Sequence, residues 1–296
     1  METKINELVI ISGKGGTGKT SVTASFAVLA AGRAVLADCD VDAADLHLVL
    51  TPKVLSTTDF ISGHEARIQP DTCVGCGRCM HLCRFDAPKI VKNAEGGLVY
   101  VIDPVACEGC GVCVRFCPVK AIEFPDRLCG KWMISETRCG TLVHACLNAA
   151  AENSGKLVST VRREARQRAE AQNLSLIITD GPPGLGCPVI ASLTGSTQVL
   201  VVTEPTVSGE HDLLRVLTLA RHFEIPTAVC VNKWDINPEM TERIEAKALA
   251  AGVQVAGRIR YDPAVTTAQI QAKAVVELDA LAAADIRMIW ERIGMT

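Results

Sequence analysis

Gly13-Lys14-Gly15-Gly16-Thr17-Gly18-Lys19-Thr20 matches the spacing G-x-x-x-x-G-K-[ST]. A loop of this composition can turn successive backbone N–H groups inward around a phosphate, because glycine tolerates the conformations that aim them there. Residues 8–12 before it form an apolar run, and a helical pattern opens at Ser21, so the loop joins a strand to a helix as the motif requires. The helix N-terminus adds its positive dipole end to the same anion. In such a cradle Gly13, Gly15, Gly16, Thr17, Gly18 and Ser21 surround the phosphates, Lys19 reaches the β- and γ-phosphates, and the Thr20 hydroxyl holds Mg²⁺. The plain alternative, a flexible glycine loop, does not account for the strand before it and the helix after it.

A second chemistry is written in cysteine. The chain has 14 cysteines in 296 residues. Cys73-x2-Cys76-x2-Cys79-x3-Cys83 and Cys107-x2-Cys110-x2-Cys113-x3-Cys117-Pro118 both have bacterial ferredoxin spacing. Three cysteines of each run wrap one face of a [4Fe–4S] cluster, and the fourth reaches the other cluster. Cluster 1 is expected on Cys73, Cys76, Cys79 and Cys117, and cluster 2 on Cys107, Cys110, Cys113 and Cys83. Zinc is the rival, but structural zinc takes pairs of ligands rather than two quartets. The runs repeat at an offset of 34 residues, Cys73 to Cys107, so a module of two similar halves is expected. Arg84 follows the first quartet where ferredoxins usually have proline, which places a cation near the clusters. Cys39 and Cys230 sit in strand-like runs and read as small buried residues. Cys129, Cys139 and Cys146 lack ligand spacing. Cys187 reads as a buried structural residue, with a redox or bridging role as the other reading.

With its second lysine, Lys14, the glycine loop resembles the deviant P-loop of the MinD, Mrp and nitrogenase iron protein superfamily. The segments Asp38-Cys39-Asp40-Val41-Asp42 and Asp180-Gly181-Pro182-Pro183-Gly184 look like the family's two switches, at the C-terminal ends of strands where ligands of α/β folds collect. The resemblance implies that Lys14 crosses a dimer interface to the partner's nucleotide, that Asp40 positions or activates the attacking water, and that Asp180 supports Mg²⁺. It extends to residues 152–158 and to Arg260-Tyr261-Asp262-Pro263 near the base. Asn232, in Asn232-Lys233-Trp234-Asp235, can pair with both edges of adenine; the same tetrapeptide also resembles a guanine-reading motif, and the deviant loop points to ATP.

These residues need a scaffold. Apolar runs at 8–12, 34–37, 174–179, 199–203, 228–231 and 253–256 read as buried parallel strands, with helical patterns at 21–31, 156–172, 209–223 and 238–251 between most of them. That rhythm predicts an α/β P-loop NTPase with a mostly parallel sheet flanked by helices. It breaks between about residues 51 and 134. The expected arrangement is an ATPase domain of residues 1–58 and 128–296, interrupted by an α+β ferredoxin-like module, 59–127.

Bulk properties exclude several classes. Net charge is −3 and aromatics are 4%, so neither an electrostatic grip on nucleic acid nor a base-stacking surface is expected. No apolar run approaches 18 residues, and the polar start is no signal peptide, so a cytoplasmic protein without integral membrane association is expected. Ile286, Ile289, Trp290 and Ile293 form a helical stripe, but Asp285 and Glu291 offset Arg287 and Arg292, so a packed terminal helix is the better reading than a membrane anchor. The leading expectation is an ATPase, slow without a partner, acting as a nucleotide-switched electron carrier. Its cofactors would be ATP, Mg²⁺ and two [4Fe–4S] clusters, with a nucleotide-bridged homodimer and a redox partner protein. Iron–sulfur or metallocentre assembly is an alternative, weakened because no cysteine follows Cys230 to supply the late Cys-x-x-Cys pair of Mrp-type scaffolds. MinD-like positioning is the other.

Overall fold

The computed structural model describes residues 5–148, 151 and 155–294, so residues 152–154 of the family-like stretch lie outside the described residues. In chain order the first elements are β1 (Asn6–Ser12), α1 (Lys19–Ala30), β2 (Ala34–Asp38), α2 (Leu46–Leu50), β3 (Lys53–His64), β4 (Arg67–Ile68) and α3 (Arg78–Leu82). Then come β5 (Pro88–Lys92), β6 (Leu98–Ile102), α4 (Val112–Arg115), β7 (Ile122–Glu123), β8 (Asp126–Thr137), β9 (Gly140–Leu147) and α5 (Lys156–Ala171). The rest are β10 (Leu176–Pro183), α6 (Cys187–Leu193), β11 (Gln198–Thr203), α7 (Val207–His222), β12 (Thr227–Asn232), α8 (Pro238–Ala250), β13 (Gln254–Ile259), α9 (Ala264–Ile270) and α10 (Leu281–Arg292).

One nine-stranded sheet runs in the order β13-β12-β11-β1-β10-β2-β9-β8-β3. Every pairing from β13 to β9 is parallel. The side-chain period of two explains why these strands read as unbroken apolar runs: Leu8 and Ile10 enter the core on one face, Val9 and Ile11 the core on the other. On the first face α1 and α10 pack, with Phe26 against Trp290 at a ring separation of 5.0 Å. On the second lie α6, α7 and α8. Ile286, Ile289, Trp290 and Ile293 are all buried, so α10 is a packed terminal helix.

The sheet is longer than the apolar runs predict. β9 continues the parallel set beside β2, pairing Leu36 with Leu142, and β8 and β3 follow it. Only two residues, Arg138 and Cys139, link β8 to β9, which fits an antiparallel hairpin. β3 exposes its first seven residues, so it has no buried face to give it an apolar period.

The chain divides into two compact units. The first holds residues 1–58, 132–146 and 153–296; the second holds 59–131 and 147–152. In the second, β4 pairs antiparallel with β7, and β5 with β6. Its small core is Ala66, Ala87, Cys107 and Ile122, with Cys79, Cys83, Cys113 and Cys117 packed around it. The internal repeat is also a backbone repeat. α3 and α4 open on left-handed glycines, Gly77 (φ 67°) and Gly111 (φ 72°), and Asp86 (φ 52°) and Lys120 (φ 54°) are left-handed three residues after Cys83 and Cys117.

Candidate nucleotide site and cysteine unit

The glycine loop leaves β1 and delivers its lysine to the first residue of α1. Gly18 is left-handed (φ 89°), and a β-carbon there would come within 2.3 Å of the Asn232 amide, so sterics as well as backbone conformation call for glycine. Lys19 is buried, with its ammonium 3.0 Å from Asp180 Oδ1 and 3.3 Å from Asp40 Oδ2. The Thr20 hydroxyl donates to Asp180 Oδ2 at 2.7 Å, and Thr23 donates to Oδ1 at 2.9 Å. Asp38 ends β2 and is paired in register with Asp180 of β10. Asp38 accepts the backbone N–H groups of Asp40 (3.2 Å) and Leu46 (3.3 Å), which ties the loop after β2 to α2.

This is a crowded electrostatic site. Burial works to lower the Lys19 pKa, but Asp180, then Asp40 and Asp38, outweigh it and hold the ammonium charged above its ordinary value. Burial, then the neighbouring Asp180, pushes Asp38 well above the usual carboxylate range. Burial also raises Asp40, against the pull of Lys19. Asp180 and Asp40 share one ammonium, and a divalent cation would offset the negative charge that remains. The buried Thr17 hydroxyl, in the middle of the loop, has no hydrogen-bond partner among the described residues. An orphaned buried hydroxyl in a phosphate cradle fits a ligand oxygen.

Lys14 is placed differently. Its ammonium lies 2.5 Å from Glu204 Oε1, 3.0 Å from Ser208 Oγ and 3.3 Å from Thr206 Oγ1. Glu204 also meets Lys233 at 3.4 Å, and Lys14, the larger influence of the two, holds the Glu204 carboxyl below its ordinary value against the effect of burial. No spacing in the sequence singles out Glu204; an acidic residue next to Pro205 after a strand is the weak signal that was there.

Asn232 does not simply face a base. Its amide donates to the Thr17 carbonyl at 2.8 Å and its Oδ1 accepts the Lys233 N–H at 2.9 Å, so it braces the loop and, among the described residues, keeps one N–H and one lone pair free. Beside it is a cavity of about 240 Å³ lined in part by Gly16, Gly18, Ser21, Asn232, Tyr261 and Val265. Arg260 also lines this cavity and is held by Asp285, at 2.7 Å.

In the second unit Cys73, Cys76, Cys79 and Cys117 line one cavity, together with Gly77, Arg78 and Tyr100. These are the four ligands expected for cluster 1, three from one run and one from the other. Burial, with nearby Cys107, Cys110 and Cys79, raises the Cys113 thiol to about 11. Among the described residues no three His, Cys, Asp or Glu side chains converge as they would on a single metal ion. A four-iron cluster asks for something else, one thiolate on each of four irons at alternate corners of a cube, and the four cysteines lining this cavity match that donor count. Cys39, Cys129, Cys139 and Cys230 are buried. Cys187 is exposed, because it is the first residue of α6 after the glycine turn, and so differs from its reading as a buried residue.

The pattern of the CobQ/CobB/MinD/ParA nucleotide binding domain matches residues 8–275. The chain belongs to this MinD/ParA family. An uncharacterized protein of Methanocaldococcus jannaschii is 36% identical over 237 residues, 79% of this chain and 80% of that protein. A second uncharacterized protein of the same organism is 25% identical over 238 residues, 79% of this chain and 83% of that protein. Among solved structures, the septum site-determining protein MinD of Pyrococcus horikoshii, complexed with Mg-ADP, superposes with a TM-score of 0.60 at 16% identity, covering 98% of this chain and 96% of that one. The cell division ATPase MinD of Pyrococcus furiosus gives 0.58 at 18% identity, covering 98% of both. At these identities the solved MinD proteins show a shared fold: the α/β P-loop architecture with its large, mostly parallel sheet. No helix among the described residues is long and apolar enough to cross a membrane.

Proposed function

We propose that this MinD/ParA-family chain binds and hydrolyses MgATP as a switch, and that its cysteine unit holds two [4Fe–4S] clusters. The observation that carries the first part is the buried meeting of Lys19, Thr20 and Asp180 under the glycine loop. Lys19 would leave its carboxylates for the β- and γ-phosphates. Thr20 and Asp180 would hold Mg²⁺, and Asp40, 3.3 Å from Lys19, would position the attacking water. Gly13, Gly15, Gly16, Thr17, Gly18 and Ser21 would surround the phosphates. The free N–H and lone pair of Asn232 would meet the base beside the adjoining cavity. Lys14 would exchange Glu204 for the nucleotide of a second copy in an ATP-bridged homodimer.

The comparisons support a MinD-like ATPase more strongly than an electron carrier, since the solved relatives are named for cell division and septum placement. What supports a redox task is the cavity that gathers Cys73, Cys76, Cys79 and Cys117, with Cys83, Cys107, Cys110 and Cys113 as the second set. Bound clusters would supply one-electron storage. Nucleotide state would then gate exchange with a redox partner protein, and a positioning ATPase with structural clusters is the rival reading.

One anaerobic preparation tests both parts. It should contain about eight irons and matching sulfide; zinc in their place would end the cluster assignment. Lys19→Ala should abolish ATP binding, while Lys14→Ala should keep binding and lose hydrolysis. Equal loss of affinity in the two variants would count against a trans role for Lys14.

A further inference from the structure

The cysteine unit is built twice, so its halves can be compared position by position, and they are not equivalent. The inference rests on the cluster reading above. Cys117 Sγ accepts the Ala121 backbone N–H at 3.3 Å. Its counterpart in the other half, Cys83, receives no such bond among the described residues, although Ala87 stands at the matching position and the preceding residue is left-handed in both halves. Arg78 lines the cavity of the Cys73, Cys76, Cys79 and Cys117 set; the equivalent residue beside the other set is Val112. Within the other loop the charged residue is Glu108, where the first loop has Val74. Cys107 is 7% exposed and buried, while its counterpart Cys73 is half-buried.

Each difference acts in the same direction. A cluster gains negative charge on reduction. An N–H donated to a ligand sulfur, a nearby cation and contact with water all stabilise that charge, whereas burial and a nearby carboxylate oppose it. Opposing charges are present. Asp71 precedes the first loop but lies outside the cavity lining. Arg84 follows Cys83 beside the other set and is exposed, as Arg78 is, so water and salt screen both; Asp86 stands two residues after Arg84, and Arg78 in addition lines its cavity. Arg127 donates to the carbonyls of Cys107 and Pro104 at 3.1 Å, with Glu108 next in the chain. His81 lies between Cys79 and Cys83, and Arg115 between Cys113 and Cys117, so each has a ligand of either set on its two sides and bears on both.

We infer that the Cys73, Cys76, Cys79 and Cys117 set is the high-potential site of the unit, held there by Arg78 and the Ala121 N–H, so that an electron supplied by an external one-electron reductant settles at it. The cysteine unit is then a directional pair: oxidation of the Cys107-containing site accompanies reduction of the Cys73-containing site, one electron for one.

The test is an anaerobic potentiometric titration of the full holoprotein, followed by paramagnetic resonance, with iron and sulfide measured on the same samples. The unaltered protein should show two one-electron steps at least tenfold apart in equilibrium constant, about 59 mV. Arg78→Gln should lower the upper step and leave the lower one in place. Glu108→Gln, a change at an exposed residue, should raise the lower step and leave the upper. Coincident steps in fully loaded protein, or Arg78→Gln moving the lower step, would overturn the inference while leaving the cluster reading intact. Absence of iron would remove the cluster reading itself.

Discussion

A histidine far from any motif shows how burial sets chemistry at the scale of one side chain. His144 on β9 is bonded to the Ser135 hydroxyl at 2.8 Å and stacks on His47 with ring centres 6.2 Å apart. Burial first, then the neighbouring His47, lowers its pKa from 6.5 to about 4. The unfolded chain therefore binds a proton between those values that the folded protein refuses. Stability from this group is complete above pH 6.5 and is lost as pH falls toward 4. Replacing His144 with Gln should flatten the pH dependence of unfolding in that window. Urea denaturation at several pH values checks it, and an unchanged slope would rule out His144 as a source of acid sensitivity.

At the scale of elements, the loop between β11 and α7 couples helix capping to the site. Thr206 is the N-cap of α7; its hydroxyl accepts the Gly209 N–H at 2.9 Å and meets Lys14 at 3.3 Å. Thr206→Ala should lower stability by about 1 kcal/mol, and Thr206→Ser should recover most of it. Equilibrium unfolding of the two variants checks this, and equal loss in both would rule out the cap.

The parallel strands around β1 were legible in the sequence because both their faces are buried. So was the glycine loop, because its spacing is its mechanism. β3 was not, since exposed residues carry no period, and neither β8 nor β9 was read. Nor was Glu204, whose importance comes from two lysines that meet it only in the folded chain, Lys14 from a loop 190 residues earlier and Lys233 from the end of β12. The repeat announced the two cysteine runs, but it concealed their inequality, which lies in one N–H direction and a few neighbouring charges.

For the whole molecule, two compact units predict two partly separable unfolding transitions. The proposed MgATP site lies in the first of them. At one hundred times its Kd MgATP should add about 2.7 kcal/mol to that unit and raise its transition in calorimetry, while the other stays in place. Iron chelation should do the reverse, lowering the second transition alone. One transition that responds to both treatments would mean that the units unfold together.

The position of β1 has a consequence for synthesis. It is made before the other strands of its sheet, yet its neighbours there are β10 and β11, which begin at Leu176 and end at Thr203. At about 5–20 residues per second, the strand that carries the glycine loop waits roughly 10–40 s for both partners. All eight cysteines of the two runs are translated within that interval, as is the segment from Asp59 to Lys131. The emerging chain thus completes its set of thiols before it owns a finished phosphate cradle, so the proposed clusters would have their ligands ahead of any nucleotide.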